Sequence, residues 1–167
     1  MKNFRVKLIK HFEGKPNTSI FIGKYTVDAK GEIKGFLKNY NEDQFKKSYI
    51  IGLKDEHGNI SFVQVWASAN GDFEFPTSPV VYNVKESSKD GKWERIEQIY
   101  TQEYYYWKKG YPNYENFYFS GTVSIDIKEI TEYPLSEKEN EIISNIMKMR
   151  GFCIRNMLKI DPGPSVL

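Results

Sequence analysis

The chain has 167 residues, enough for one domain that buries about 70% of the surface its unfolded form exposes. Lys and Arg number 24 and Asp and Glu 22, a formal charge of +2, which excludes a strongly basic nucleic-acid binder and an acidic disordered tail. Cys153 is the only cysteine, so an intrachain disulfide is excluded and a reducing, cytoplasmic setting is expected.

The chain opens with Lys2, Arg5, Lys7, Lys10 and Lys15 against Glu13. These charges are interleaved with Phe4, Val6 and Leu8, the pattern of one strand with a wet face rather than of a phosphate-binding arm. The first residues hold no apolar run of signal-peptide length, and no segment approaches the ~18 apolar residues of a membrane helix, so neither a leader nor a membrane partner is expected. The triplets Asn17-Thr18-Ser19 and Asn59-Ile60-Ser61 then read as chance matches to a glycosylation signal.

Short period-2 segments separated by turn chemistry follow. Ile20–Asp28 and Gly31–Lys38 flank Ala29-Lys30, and Tyr49–Lys54 and Asn59–Ala67 flank Asp55-Glu56-His57-Gly58; Gly31 and Gly58 suit positive φ. Asn70-Gly71 is a two-residue hairpin signal that folds Asp72–Phe75 back on the preceding strand. Val80–Lys85 and Lys92–Tyr100 bracket Ser87–Gly91, and Phe119, Gly121, Val123, Ile125 and Ile127 share one face of the last strand.

Eight or nine strands joined mostly by short hairpins place sequence neighbours antiparallel in space. With one apolar face each, they must close on themselves or pair two sheets. The expected fold is all-β with a C-terminal helix: an antiparallel up-and-down barrel of about eight strands, or alternatively a two-sheet sandwich packed on the helix. Residues 1–133 form the barrel in this reading, and 134–167 a helical element packed on it within the same domain.

In that last element Ser136 and Glu139 have the spacing of a capping box, with Glu137, Glu139 and Glu141 early and Lys148, Arg150, Arg155 and Lys159 late, as the helix dipole favours. Ile142, Ile146, Met149, Cys153 and Met157 fall on one stripe, with Ile143, Met147, Ile154 and Leu158 beside it. Gly151 predicts a kink or break, and Asp161-Pro162-Gly163-Pro164 ends the element. A barrel followed by one helix resembles lipocalin-type barrels in plan. Gly23-Lys24-Tyr25 stands where such families tend to carry Gly-x-Trp, here with Tyr in place of Trp.

The densest feature is aromatic: Tyr100, Tyr104, Tyr105, Tyr106, Trp107, Tyr111, Tyr114, Phe117, Tyr118 and Phe119 make up half of residues 100–119. Such rings either plug a barrel end or form a stacking surface for a ligand or partner. No catalytic signature accompanies them. His57 beside Asp55 and Glu56, and the isolated His11, lack metal-ligand spacing, and Cys153 lies on the apolar helix stripe, where a thiol acts as a small hydrophobe. Glu94 and Glu97 fall on opposite faces of a strand, and Ser165-Val166-Leu167 reads as a frayed tail.

The leading functional expectation is non-catalytic binding of a small apolar or aromatic molecule in the barrel, lined by Tyr25, Trp66, Trp93, Tyr105 and Trp107, with no cofactor or metal. A second is a protein-interaction module, of inhibitor or immunity type or self-associating, anchored by Tyr104, Tyr106, Tyr111 and Tyr114. A third is acid–base catalysis within the barrel, which requires a titratable group shifted by its surroundings.

Overall fold

The computed structural model describes residues 1–40, 47–72, 79–95 and 120–160. Eight strands run in chain order: β1 (Lys2–Phe12), β2 (Thr18–Val27), β3 (Glu32–Asn39), β4 (Lys47–Lys54), β5 (Asn59–Val65), β6 (Val80–Lys85), β7 (Asp90–Arg95) and β8 (Ser120–Ile130). Every neighbouring pair is antiparallel, and β8 returns to β1 with Ile125 opposite Leu8, closing an up-and-down barrel. The sandwich alternative is thereby excluded. One helix among the described residues, α1 (Glu137–Met157), follows.

Alternation decides what faces inward. Phe4, Val6 and Leu8 of β1, Phe21 and Tyr25 of β2, Ile33 and Leu37 of β3, and their register partners form the barrel core. Strands β4 and β5 are buried on both faces. Ile50 and Phe62 point into the barrel, while Tyr49, Ile51, Leu53, Val63 and Val65 belong to a second core shared with α1. The helix supplies Ile142, Ile143, Ile146, Ile154 and Met157 to it. Met149, expected on the buried stripe, is exposed because it falls at the margin of the arc that meets the sheet.

The capping box forms as the spacing predicts: Glu139 N–H donates to Ser136 Oγ at 3.1 Å, and Ser136 N–H donates to Glu139 Oε1 at 2.8 Å. The helix runs through Gly151 without the expected break and ends at Met157, before Asp161. Packing of residues on both sides of Gly151, Ile146 and Ile154, outweighs the ~1 kcal/mol that a helical glycine costs.

The barrel's two ends differ. At one, strands are joined through 28–31, 55–58 and 86–89; at the other, through 13–17, 40–46, 66–79 and 96–119. The short connections are tied by side chains: Asp28 Oδ1 accepts from the N–H groups of Lys30 and Glu32, and Asp55 Oδ1 from those of His57 and Asn59. Gly31 and Gly58 take positive φ there, as their turns require. In the third, Lys89 adopts φ 56°. Gly91, read as part of that loop, is instead paired within β7, where a Cβ would stand 1.9 Å from the Asn83 carbonyl oxygen.

Candidate functional site

The same inward alternation that buries Phe4, Val6 and Leu8 carries Lys10 into the barrel, where it is 3% exposed. This corrects the reading of Lys10 as part of a wet face: it sits two residues beyond Leu8 on the apolar side, toward the end with the longer connections. Its Nζ lies 3.9 Å from the centroid of the Trp93 ring and 5.6, 5.8 and 5.7 Å from those of Phe12, Phe21 and Tyr82. Four aromatic side chains from four strands thus surround one amine. No hydrogen bond or ion pair joins that amine to any described residue.

The contrast with the opposite end is direct. There Lys54, in register with the inward Ile60, meets Glu86 at 2.9 Å and remains partly solvated. Among the described residues Lys10 has no such carboxylate. Burial, with a smaller push from the Arg95 guanidinium, pulls its pKa from the ordinary 10.5 to about 7. Neutralising the amine avoids the larger cost of an unsolvated, unpaired charge.

Trp93 is held in place from two sides. Gly121 is its cross-strand partner on β8 and also that of Phe12 on β1, so the indole leans over a residue with no side chain to reach the next strand. Its Nε1–H donates to the His11 carbonyl at 3.0 Å, and its ring meets Phe12 edge-on at 5.1 Å. Behind Tyr82 runs a buried polar line. The Tyr82 hydroxyl donates to Gln64 Oε1 at 2.7 Å, Gln64 Nε2 donates to Ser48 Oγ at 2.7 Å, and Ser48 Oγ donates to the Leu37 carbonyl at 3.2 Å. Burial holds the Tyr82 phenol well above its ordinary pKa, only partly opposed by Arg95, so it remains a donor.

Toward the short-turn end the interior is filled. Val6, Tyr25, Ile33, Ile50, Ile60, Phe62 and Ile125 enclose a gap of about 10 Å³, at the lower limit for one water. A larger groove, about 980 Å³, runs along the wall formed by β5–β8 and the end of β1, with Lys159 and Ile160 on its border. Its charged lining is mixed in sign, Glu13, Asp55, Asp90 and Glu94 against Lys85, Lys92 and Lys159. Phe12 and Trp93 belong both to this groove and to the ring around Lys10.

The structure places the sequence-predicted residues as follows. Trp93 stands in the aromatic ring, Trp66 packs partly buried against the barrel core, and Tyr25 lies in the filled part, stacked on Phe4 at 5.1 Å. The Tyr25 phenol is held above its ordinary pKa by burial and, secondarily, by Glu86. Tyr105 and Trp107, with Tyr104, Tyr106, Tyr111 and Tyr114 of the alternative partner surface, lie outside the described residues.

His57 is exposed, 3.6 Å from Glu56, and Asp55 is engaged by Asn59 and the turn backbone. Among the described residues no three His, Cys, Asp or Glu side chains gather as metal ligands. Cys153 packs partly buried against the second core. No described helix is long and apolar enough to cross a membrane. Sequence reasoning missed Lys10, Tyr82 and Gln64; strict parity along β1 was the available signal for the first.

Compared with known protein families, with curated proteins and with solved structures, the chain matches none. Its class therefore rests on architecture: a closed eight-stranded antiparallel barrel with a helix docked outside β3–β5.

Proposed function

We propose that this protein binds a small, largely apolar or aromatic molecule without transforming it, at the end of the barrel where Lys10 meets Trp93, and that it does so in the cytoplasm. The supporting observation is the ring of Phe12, Phe21, Tyr82 and Trp93 around an amine that meets no carboxylate among the described residues. Lys54 at the opposite end is instead met by Glu86 and stays partly solvated. An aromatic enclosure with one polar atom is the composition of small-molecule sites, which are mainly apolar with a few placed polar groups. The filled interior around Tyr25 directs the ligand away from the short-turn end, and the groove reaching Phe12 and Trp93 is its route of entry.

Native mass spectrometry of the purified protein, set against its denatured mass, tests this reading. A noncovalent adduct of a few hundred daltons, or quenching of tryptophan emission by small aromatic alcohols such as 2-naphthylmethanol, is the expected result. A clean native mass combined with no quenching across such a panel contradicts it.

A further inference from the structure

We propose that Lys10 is the point at which the ligand is held covalently: its Nζ condenses with the carbonyl carbon of a small aromatic aldehyde or ketone, forming an imine within the aromatic ring. This rests on the preceding reading of the site as a small-molecule pocket and adds the ligand's reactive group.

Geometry is the first support. The amine is enclosed on several sides by ring faces and edges, at 3.9 Å in the nearest case, with Phe12 half-buried and shared with the solvent groove. A planar carbonyl compound entering past Phe12 has aromatic surface to stack on while its carbonyl meets the nitrogen. The second support is chemical. A lysine with an ordinary pKa is free amine to only about one part in three thousand at neutral pH. Lys10, drawn down to about 7 by burial and then by Arg95, is near half free amine. Desolvation and an adjacent cation are the two ways by which lysines become carbonyl nucleophiles.

Among the described residues, the groups facing Lys10 leave its lone pair available. Arg95 comes from β7 and Tyr82 from β6, whose hydroxyl proton is given to Gln64. By register β2 contributes Ser19, opposite Lys10, and Phe21, opposite Leu8, and β8 contributes Val123 and Gly121, none of which titrates at neutral pH. β4 and β5 present Ser48 and Gln64, bonded to each other.

The reaction balances without a further reagent. The nitrogen lone pair attacks the carbonyl carbon, a C–N bond forms, and the oxygen takes up the proton lost from nitrogen. The carbinolamine then loses its hydroxyl, with the remaining N–H proton, as water, leaving C=N. Nothing is oxidised or reduced, and water reverses the step.

The test uses the full-length protein at pH 7 with 2-naphthaldehyde and cyanoborohydride, which reduces any imine to a stable amine, followed by peptide mapping. The expected result is labelling of Lys10 at an initial rate about tenfold or more above any other lysine, rising through about pH 7 and levelling above it. Lys10→Met abolishes that label. Mapping of the wild-type chain alone decides the matter if the variant does not fold. If the alcohol binds but Lys10 is labelled no faster than surface lysines, the imine is overturned and the pocket stands. If neither compound binds, both fall.

Discussion

The Nζ of Lys10 stands 3.9 Å above the ring of Trp93, and neither residue's arrangement makes sense without the other. A cation over an indole gains about 2 kcal/mol when desolvated. Taking an ammonium out of water costs several kcal/mol. The ring alone therefore does not compensate the charge, and the proton is given up near neutrality.

This fixes the sign of a pH effect. Below pH 7 Lys10 is charged in both folded and unfolded chains, and the burial cost is fully present. Between about 7 and 10.5 the unfolded chain holds a proton that the folded one lacks, so this group's contribution to stability rises with pH, by at most ~1.4 kcal/mol per unit. Lys10→Met should be more stable than wild type in chemical denaturation at pH 6–7, with the gap narrowing by pH 9. A gap independent of pH contradicts the burial of this amine.

Tyr82→Phe removes the donor to Gln64 and leaves a buried amide oxygen without its partner. A loss of about 1–3 kcal/mol in unfolding free energy is expected. Changing both Tyr82 and Gln64, to Phe and Leu, should recover part of that loss in a double-mutant cycle.

Gly121→Ala tests how the indole is seated. A Cβ there would lie 1.8 Å from the His11 carbonyl oxygen and 2.7 Å from Trp93 Nε1, the two atoms that are hydrogen-bonded. Backbone and indole must both shift, at a cost of about 1–3 kcal/mol. Trp93 emission should move to longer wavelength as its ring is displaced toward water. An unchanged spectrum and stability would show that the indole is not held in this way.

Helix docking responds to acid. Burial of Glu139 opposes its ionisation, but the Ser136 N–H and the Lys47 ammonium at 2.9 Å outweigh it and hold the carboxyl below its ordinary pKa. Its stabilising effect is present above the ordinary carboxylate value and is lost as pH falls below it. Glu139→Gln keeps the reciprocal cap but not the ion pair, so its stability should vary less than wild type between pH 5 and 3. Ser136→Ala, which removes the cap acceptor, should cost about 1 kcal/mol at neutral pH.

The barrel was legible because its signals are local: alternation around Phe4, Val6 and Leu8, glycine at Gly31 and Gly58, and the Ser136–Glu139 spacing. The continuous apolar run Tyr49-Ile50-Ile51 also carries a sign of burial on both faces, and the helix indeed covers β4. Gly91 misled because one residue type serves both tight turns and close strand approach. The candidate site was harder to see because it joins strands far apart in sequence; Tyr82 finds Gln64 only once β5–β6 register is set. Lys10 was readable by position and lost by composition: grouped with other basic residues it reads as solvated, yet its even number places it with Leu8.

The most direct test is the titration of Lys10 itself, followed through its ¹³Cε and ¹⁵Nζ resonances and assigned by their disappearance in Lys10→Met. A midpoint near 7 is the result predicted for an amine enclosed by Trp93, Phe12, Phe21 and Tyr82. A midpoint near 10.5 means that the amine is solvated or paired, and contradicts the site from which the proposed function and its covalent chemistry are both drawn.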